Sequence, residues 1–217
     1  KSAGPPLIKA KPHPGLRMVV VIPCHDEPNL LGVLKSLANC EPPLGQAEVI
    51  VVINDSEKDA SSVILQNLCT LCETTDWLDN RSDPWLPIHL LYPPKLPPKH
   101  AGVGQARKIG MDEALRRLAD VGQAEDGLLV CYDADCRCSP NYFTGIESHF
   151  ASEPDAPGCS IHFEHPLDAG EWAALGFEGR APRRAVFDGI AAYELHLRYH
   201  VSAQKSIGFP YGFHTIG

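Results

Sequence analysis

Two apolar runs, Met18-Val19-Val20-Val21-Ile22 and Glu48-Val49-Ile50-Val51-Val52-Ile53, constrain the fold of this chain more than any other feature. Neither alternates apolar with polar residues, so neither suits a sheet with one wet face. β-Branched runs of this kind form strands covered on both sides, as in a parallel sheet carrying helices on each face. The intervening segments supply those helices. The first run stops at Pro23; Asp26, Glu27 and Pro28 provide acidic residues and proline for a first helical turn, and Leu30, Leu31, Leu34, Leu37 and Ala38 follow at helical spacing. Asp59 is placed to cap a second helix with an apolar stripe of Val63, Ile64, Leu68 and Leu71. Ile88 to Tyr92 forms a short third strand. A helix from about Gly104 to Leu118 then buries Ile109, Met111, Ala114, Leu115 and Leu118. The fourth strand, Leu128-Leu129-Val130-Cys131-Tyr132, runs into Asp133-Ala134-Asp135. Beyond it, Asn141 to Phe150 reads as a short helix, Cys159 to His165 as a strand, and Arg183 to about Ser206 as a helix. The alternation implies an α/β fold, a mostly parallel Rossmann-like sheet flanked by helices. Such sheets bind ligands beyond the carboxyl ends of their strands.

The chain of 217 residues is long enough for one sizeable core. Residues 1–16, rich in Pro, Gly and Lys, form an extended lead-in; residues 17–150 carry the strand–helix alternation, and the rhythm loosens in 151–217. A net charge of −8 argues against a nucleic-acid partner, although local positive charge can still hold a phosphate. No apolar run reaches the length of a bilayer span, and no secretory signal opens the sequence. Of the eight cysteines, Cys24 and Cys131 sit in apolar strand runs, where a free thiol acts as a small hydrophobe. Cys69 and Cys72 form a CxxC on the apolar side of the expected second helix, and Cys136 and Cys138 a CxC. The two pairs lie too far apart for a zinc ribbon or knuckle. A reducing compartment fits better than a disulfide framework.

Side chains two residues apart on an extended chain point to one face, so Asp133 and Asp135 can converge on one cation with only Ala134 between them. Paired hard oxygen ligands at a strand end suit Mg²⁺ or Mn²⁺. The bland reading is a solvated strand end. Two more strand ends carry polar clusters, Cys24-His25-Asp26-Glu27 and Asn54-Asp55-Ser56, and the helix after the third strand brings Arg107 and Lys108 to the same edge. A carboxylate can read a base N–H, and a metal, a cation or helix N–H groups can hold a diphosphate. The set therefore suits a nucleoside diphosphate. Each member also has a structural alternative. Asp26 and Glu27 can cap a helix, Asp55 can make a turn, and Arg107 can be a solvated surface charge. Gly102-Val103-Gly104 lacks the spacing of either common nucleotide fingerprint.

The order of these motifs resembles glycosyltransferase family 2, with its GT-A fold. The resemblance rests on Val21-Ile22-Pro23 with Asp26-Glu27, Val51-Val52-Ile53-Asn54-Asp55, Ala106-Arg107-Lys108-Ile109-Gly110 and Asp133-Ala134-Asp135, and covers roughly residues 17–150. It implies a GT-A-like domain that binds a nucleotide sugar, often UDP-linked, and a metal-dependent, inverting transfer of the sugar to a glycan, lipid or other acceptor, as in cell-wall or polysaccharide biosynthesis. By that resemblance Pro23, Glu27, Asn54 and Asp55 belong to the nucleoside pocket, with Asp55 near the base and Arg107 by the base or phosphate. Asp133, with Ala134 beside it, sits by ribose and metal, and Asp135 is the direct ligand of Mn²⁺ or Mg²⁺. The family often has Asp where Asn54 stands and Asn where Lys108 stands. Family members continue into an acceptor-binding half that carries the general base. Residues 151–217 therefore read as the truncated start of that region, and the base is expected beyond Gly217. The chain is expected to bind a nucleotide sugar weakly and to transfer it poorly or not at all. A cytoplasmic location is expected, with any membrane attachment carried by parts outside these residues. The alternatives are a non-catalytic nucleotide-sugar binding module and a phosphotransferase with Asp133 as nucleophile and Asp135 as acid. In Ser160 to His165, His162 and Glu164 share a strand face, and ordinary half-exposed polar positions are favoured there over acceptor or metal contact. His214 is a further candidate contact near the donor phosphates.

Overall fold

The computed structural model describes residues 5–82, 84–99, 101–174, 184–193, 195 and 214–216. The chain divides into two compact units, Lys1–Thr144 and Gly145–Gly217.

In the first unit, β1 (Leu16–Cys24), α1 (Leu30–Ala38), β2 (Gln46–Ile53), α2 (Ser61–Asp79), β3 (Ile88–Leu91), α3 (Val103–Asp120) and β4 (Leu128–Cys131) alternate as the sequence requires. The described strands of this unit form a parallel sheet ordered β3-β2-β1-β4, with Val20 opposite Val49 and Val130, and Val49 also opposite Ile88. Every residue of β1 from Met18 and of β2 from Ala47 is buried, which is why neither run alternates. β4 is an edge strand, so Cys131 is exposed rather than a core hydrophobe, while Cys24 in central β1 is buried as expected. The chain travels outward from β1 through β2 to β3, and α3 then returns it to the opposite side of β1. The strand order reverses between β1 and β4, the place where such sheets open a crevice.

α3 packs tightly on the sheet. A side chain at Gly110 would overlap Val21 and lie 3.1 Å from Val52 Cγ2, so only glycine permits this approach. The buried face of α3 differs from the expected apolar stripe. Ala106, Gly110, Ala114 and Leu118 are buried, but so are Glu113 and Arg117, whereas Leu115 is exposed. The charges are buried because each is matched. Arg117 Nε donates to Glu48 Oε2 at 2.6 Å and its Nη1 to the Ala10 carbonyl at 2.7 Å. The Glu113 carboxylate accepts from the backbone N–H groups of Leu7 and Ile8 at 3.2 and 3.1 Å. The lead-in segment is thus bound along α3 by the charges that a purely apolar reading overlooks. Burial alone would raise the Glu48 carboxyl, but hydrogen bonds from His89 and Arg117 outweigh it and hold Glu48 at about 2.

α2 is the larger departure. Its buried residues are Asn67, Thr70 and Thr74, while Leu65 and Leu68 are exposed and Val63, Ile64 and Leu71 only half-buried. Cys69 and Cys72 are exposed, not on a core face. Ala60 is the N-cap residue of α2, and Asp59 instead accepts the Ser56 N–H at 2.7 Å. The polar face of α2 lies against the loops after β1 and β2, whose backbone groups have no strand partner and need hydrogen bonds more than apolar cover.

α4 (Tyr142–Ser152) spans the boundary of the two units. The second unit contains β5 (Cys159–Ile161), α5 (Ala169–Ala174), helical residues 184–193 and β6 (His214–Ile216), which pairs in parallel with β5. β5 is shorter than the expected strand. His162 and Glu164 lie beyond it as an exposed pair 3.2 Å apart, polar positions outside the strand. The remainder of the helix expected over Arg183–Ser206 and the His214 side chain lie outside the described residues.

Candidate nucleotide site

A cleft of about 290 Å³ opens at the carboxyl ends of β1, β2 and β4. β1 contributes Pro23 and Cys24, the loop after it His25 and Glu27, Asn54 follows β2, and Asp133, Ala134 and Asp135 follow β4; Val103 at the start of α3 closes one side. Six of the residues expected in the site, Pro23, Glu27, Asn54, Asp133, Ala134 and Asp135, therefore line one concavity.

Asp55 and Arg107 stand differently. Asp55 is almost wholly buried at the end of β2; its Oδ1 accepts from Asn67 Nδ2 at 2.6 Å and its Oδ2 from the Tyr92 hydroxyl. Both oxygens are engaged within the protein, and burial together with this carboxylate pushes the Tyr92 phenol up to about 12. Arg107 reaches the site through Asp133, with Nη2 2.7 Å from Oδ1. Its Nε is buried and bonds to no described group.

Asn67 organises the walls. Its carbonyl oxygen accepts the Asp26 N–H at 2.8 Å, and its amide donates to the Asn54 carbonyl at 3.2 Å as well as to Asp55. One turn on, Thr70 Oγ1 donates to the Glu27 carbonyl at 2.9 Å. Asp26 holds a left-handed backbone, φ 53°, and its N–H bond to Asn67 secures that bend so that the following residue, Glu27, lines the cleft. His25 ties the two loops again, its Nδ1 donating to the Asn54 carbonyl at 2.8 Å.

The polar groups left over define what the cleft lacks. Asn54 Nδ2 donates to the Ala101 carbonyl at 3.2 Å, but its Oδ1 is buried with no partner among the described residues. A buried acceptor without a donor costs roughly 1–3 kcal/mol, and a ligand N–H or O–H would recover it. Burial raises the Glu27 carboxyl, the nearby Asp135 raises it further, and the Asn29 N–H and Arg137 partly offset this. Burial, reinforced by Glu27, pushes the Cys24 thiol up to about 12, so this sulfur is a wall and not a nucleophile. Asp133 and Asp135 are both exposed at the mouth. Among the described residues no group of three His, Cys, Asp or Glu side chains converges on one point. The protein thus offers two carboxylates, which fits a hard divalent cation whose other ligands are water and phosphate oxygens.

Asn67, Thr70 and Tyr92 are site-building residues that sequence spacing did not single out. For Asn67, Thr70 and Thr74 a signal was present, a polar stripe at helical spacing inside an otherwise apolar segment.

Residues 19–187 match glycosyl transferase family 2, and the chain belongs to that family. Among solved structures it is similar to S. aureus TarS 1-349, with 20% identity, a TM-score of 0.46, and 69% of this chain and 36% of that one covered. The same fragment in complex with UDP gives 19% identity and a TM-score of 0.45 over 69% and 36% of the two chains. For TarS in a longer form, 22% of that chain is covered. The chain therefore spans about a third or less of the length of these structures. No curated protein matches it. The α/β sheet and its flanking helices are the GT-A-like architecture expected. No helix among the described residues is long and apolar enough to cross a membrane.

Proposed function

We propose that the cleft binds the nucleoside diphosphate of a sugar donor, UDP-linked, in a metal-dependent inverting glycosyl transfer to a glycan, lipid or other acceptor. The observation that carries this reading is the buried, unpartnered Asn54 Oδ1 in the same cleft as Asp133 and Asp135. One end of the cleft asks for a ligand donor, and the other offers hard oxygens for a cation. Asn54 accepts from the base or ribose, Pro23 and Ala134 supply the apolar wall, and Glu27 accepts a hydroxyl hydrogen. Asp133 and Asp135 would hold Mg²⁺ or Mn²⁺, which supplies charge neutralisation for a departing diphosphate. Arg107 keeps Asp133 oriented until a ligand competes for it, and its idle Nε faces the same task. Asp55 is proposed as a positioning residue, fixing Asn67 and thereby the loop that carries Asn54. No described residue is proposed as the catalytic base. A cytoplasmic location accords with the free thiols.

The test is calorimetric titration of UDP and GDP, each with and without Mn²⁺, into the wild-type chain and Asp135→Ala. Mn²⁺-dependent UDP binding that the substitution abolishes is expected. Absence of binding by either nucleotide, or equal binding without the metal, would refute the assignment.

A further inference from the structure

Cys138 and Cys40 lie far apart in sequence and together in space. Cys138 belongs to the loop that carries Asp133 and Asp135; Cys40 follows the last turn of α1. Their sulfurs are 3.4 Å apart. The two segments are fastened to each other on both sides of the pair. The Cys138 N–H donates to Ser36 Oγ at 3.1 Å, and the Glu41 N–H donates to the Pro140 carbonyl at 2.8 Å. This is a pre-formed contact and not a chance approach of two surface thiols.

The two sulfurs differ in character. Cys138 is held below the ordinary thiol range, first by the hydrogen bond from Cys40, then by Ser36 and the nearby Arg137, with burial opposing. The buried Tyr132 hydroxyl beside it hydrogen-bonds to the Cys138 sulfur and favours its thiolate. Cys138 is half-buried and Cys40 is buried. A half-buried thiolate in contact with a buried thiol is the arrangement of an attacking and a resolving cysteine.

We propose that Cys138 and Cys40 form a peroxide-oxidisable dithiol whose disulfide draws the Asp133–Asp135 loop toward α1 and weakens ligand binding in the cleft. The Cys138 thiolate attacks one peroxide oxygen, the O–O bond breaks, and hydroxide leaves, giving a sulfenic acid. The Cys40 sulfur then attacks that sulfur, the S–O bond breaks, and the hydroxyl leaves as water with the Cys40 proton. Peroxide is reduced by two electrons, and the two thiols are oxidised to one disulfide. An S–S bond of about 2.05 Å requires the sulfurs to close by roughly 1.3 Å. α1 is anchored in the core through Leu30, Val33, Leu34 and Leu37, so the exposed loop takes up the movement. Asp135 stands three residues from the sulfur that moves. Dithiol exchange with a reducing pool would restore the open loop.

The disulfide stands on the sulfur geometry alone; its effect on the cleft rests on the donor-site reading above. The reduced 217-residue chain is treated at pH 7 with a small excess of hydrogen peroxide, alkylated, digested and mapped by mass spectrometry. A Cys40–Cys138 crosslink, reversed by dithiothreitol, is expected. Cys40→Ser should instead leave Cys138 as a sulfenic acid trapped by dimedone, and Cys69→Ser should change nothing. A crosslink at other cysteines, or Cys138 left as free thiol while Cys69 and Cys72 oxidise, would overturn the proposal. Circular dichroism checks that Cys40→Ser folds; should it not, the wild-type crosslink map decides. UDP–Mn²⁺ titration of the reduced and oxidised chain then reads the consequence, with at least a tenfold loss on oxidation and recovery with dithiothreitol. A crosslinked chain with undiminished affinity would refute the coupling. Failure of the reduced chain to bind UDP would refute the donor-site reading and leave the crosslink to be judged by its map.

Discussion

Asn67→Ala should loosen the cleft from behind, without replacing a lining residue. The side chain is fully buried and makes three hydrogen bonds: from the Asp26 N–H at 2.8 Å, to the Asn54 carbonyl at 3.2 Å and to Asp55 Oδ1 at 2.6 Å. A neutral hydrogen bond contributes about 1 kcal/mol and one to a charged group about 1.5–3 kcal/mol. The three together therefore contribute about 4 kcal/mol, and alanine leaves all three partners unmatched in a buried setting. Chemical denaturation should show a loss of about 3–5 kcal/mol. In a double-mutant cycle with Asp55→Ala the two losses should fall short of additivity by at least about 1 kcal/mol, because they share the charged bond. UDP–Mn²⁺ affinity should fall several-fold even at temperatures where the variant stays folded, since the Asp26 bend and the Asn54 loop lose their common anchor. A loss below about 1 kcal/mol, or strict additivity with Asp55→Ala, would show that α2 does not hold the site.

Other outcomes follow from the same structure. Asp135→Ala should abolish the metal dependence of UDP binding while leaving the unfolding midpoint within about 1 °C, because the side chain is exposed and does little for the fold; calorimetry and thermal melts check both. Glu48 is buried, and its shift from 4.5 to about 2 corresponds to about 3 kcal/mol of pH-dependent stability. A depressed carboxyl stabilises above its unfolded value, so this contribution is complete above pH 5 and declines as pH falls toward 2. Arg117→Met removes the guanidinium partner of Glu48 and leaves His89 alone beside the buried carboxylate, costing up to about 3–5 kcal/mol at pH 7. The gap to wild type should narrow by about 2 kcal/mol or more at pH 3, and a pH-independent gap in urea melts would contradict the pairing. Gly110→Ala should cost about 1–3 kcal/mol by forcing α3 away from Val21 and Val52, measured by the same melts. Gly32→Ala removes the space now occupied by the Arg137 guanidinium, so the loop after Asp135 should become more accessible to proteolysis at Arg137 with little change in the melting midpoint.

What the sequence determined by itself were the features that depend on neighbours along the chain. Unbroken β-branched runs can only be strands covered on both faces, so β1 and β2 followed from Met18–Ile22 and Glu48–Ile53, and with them the parallel sheet. The family's motif order followed too, as did the cleft residues at strand ends, because in a parallel sheet those ends must share an edge. Tertiary structure decided which charges and polar groups could be buried. Arg117 and Glu113 on α3, and Asn67 and Thr70 on α2, look like solvent-facing positions until the distant groups that satisfy them, Glu48, the 7–10 segment and the 26–27 and 54–55 loops, are in place. Tertiary structure also turned Asp55 inward and set Cys40 against Cys138, contacts between segments far apart in the chain. Burial of a polar group is decided by its partner, and the partner's position is a property of the fold, not of the local sequence.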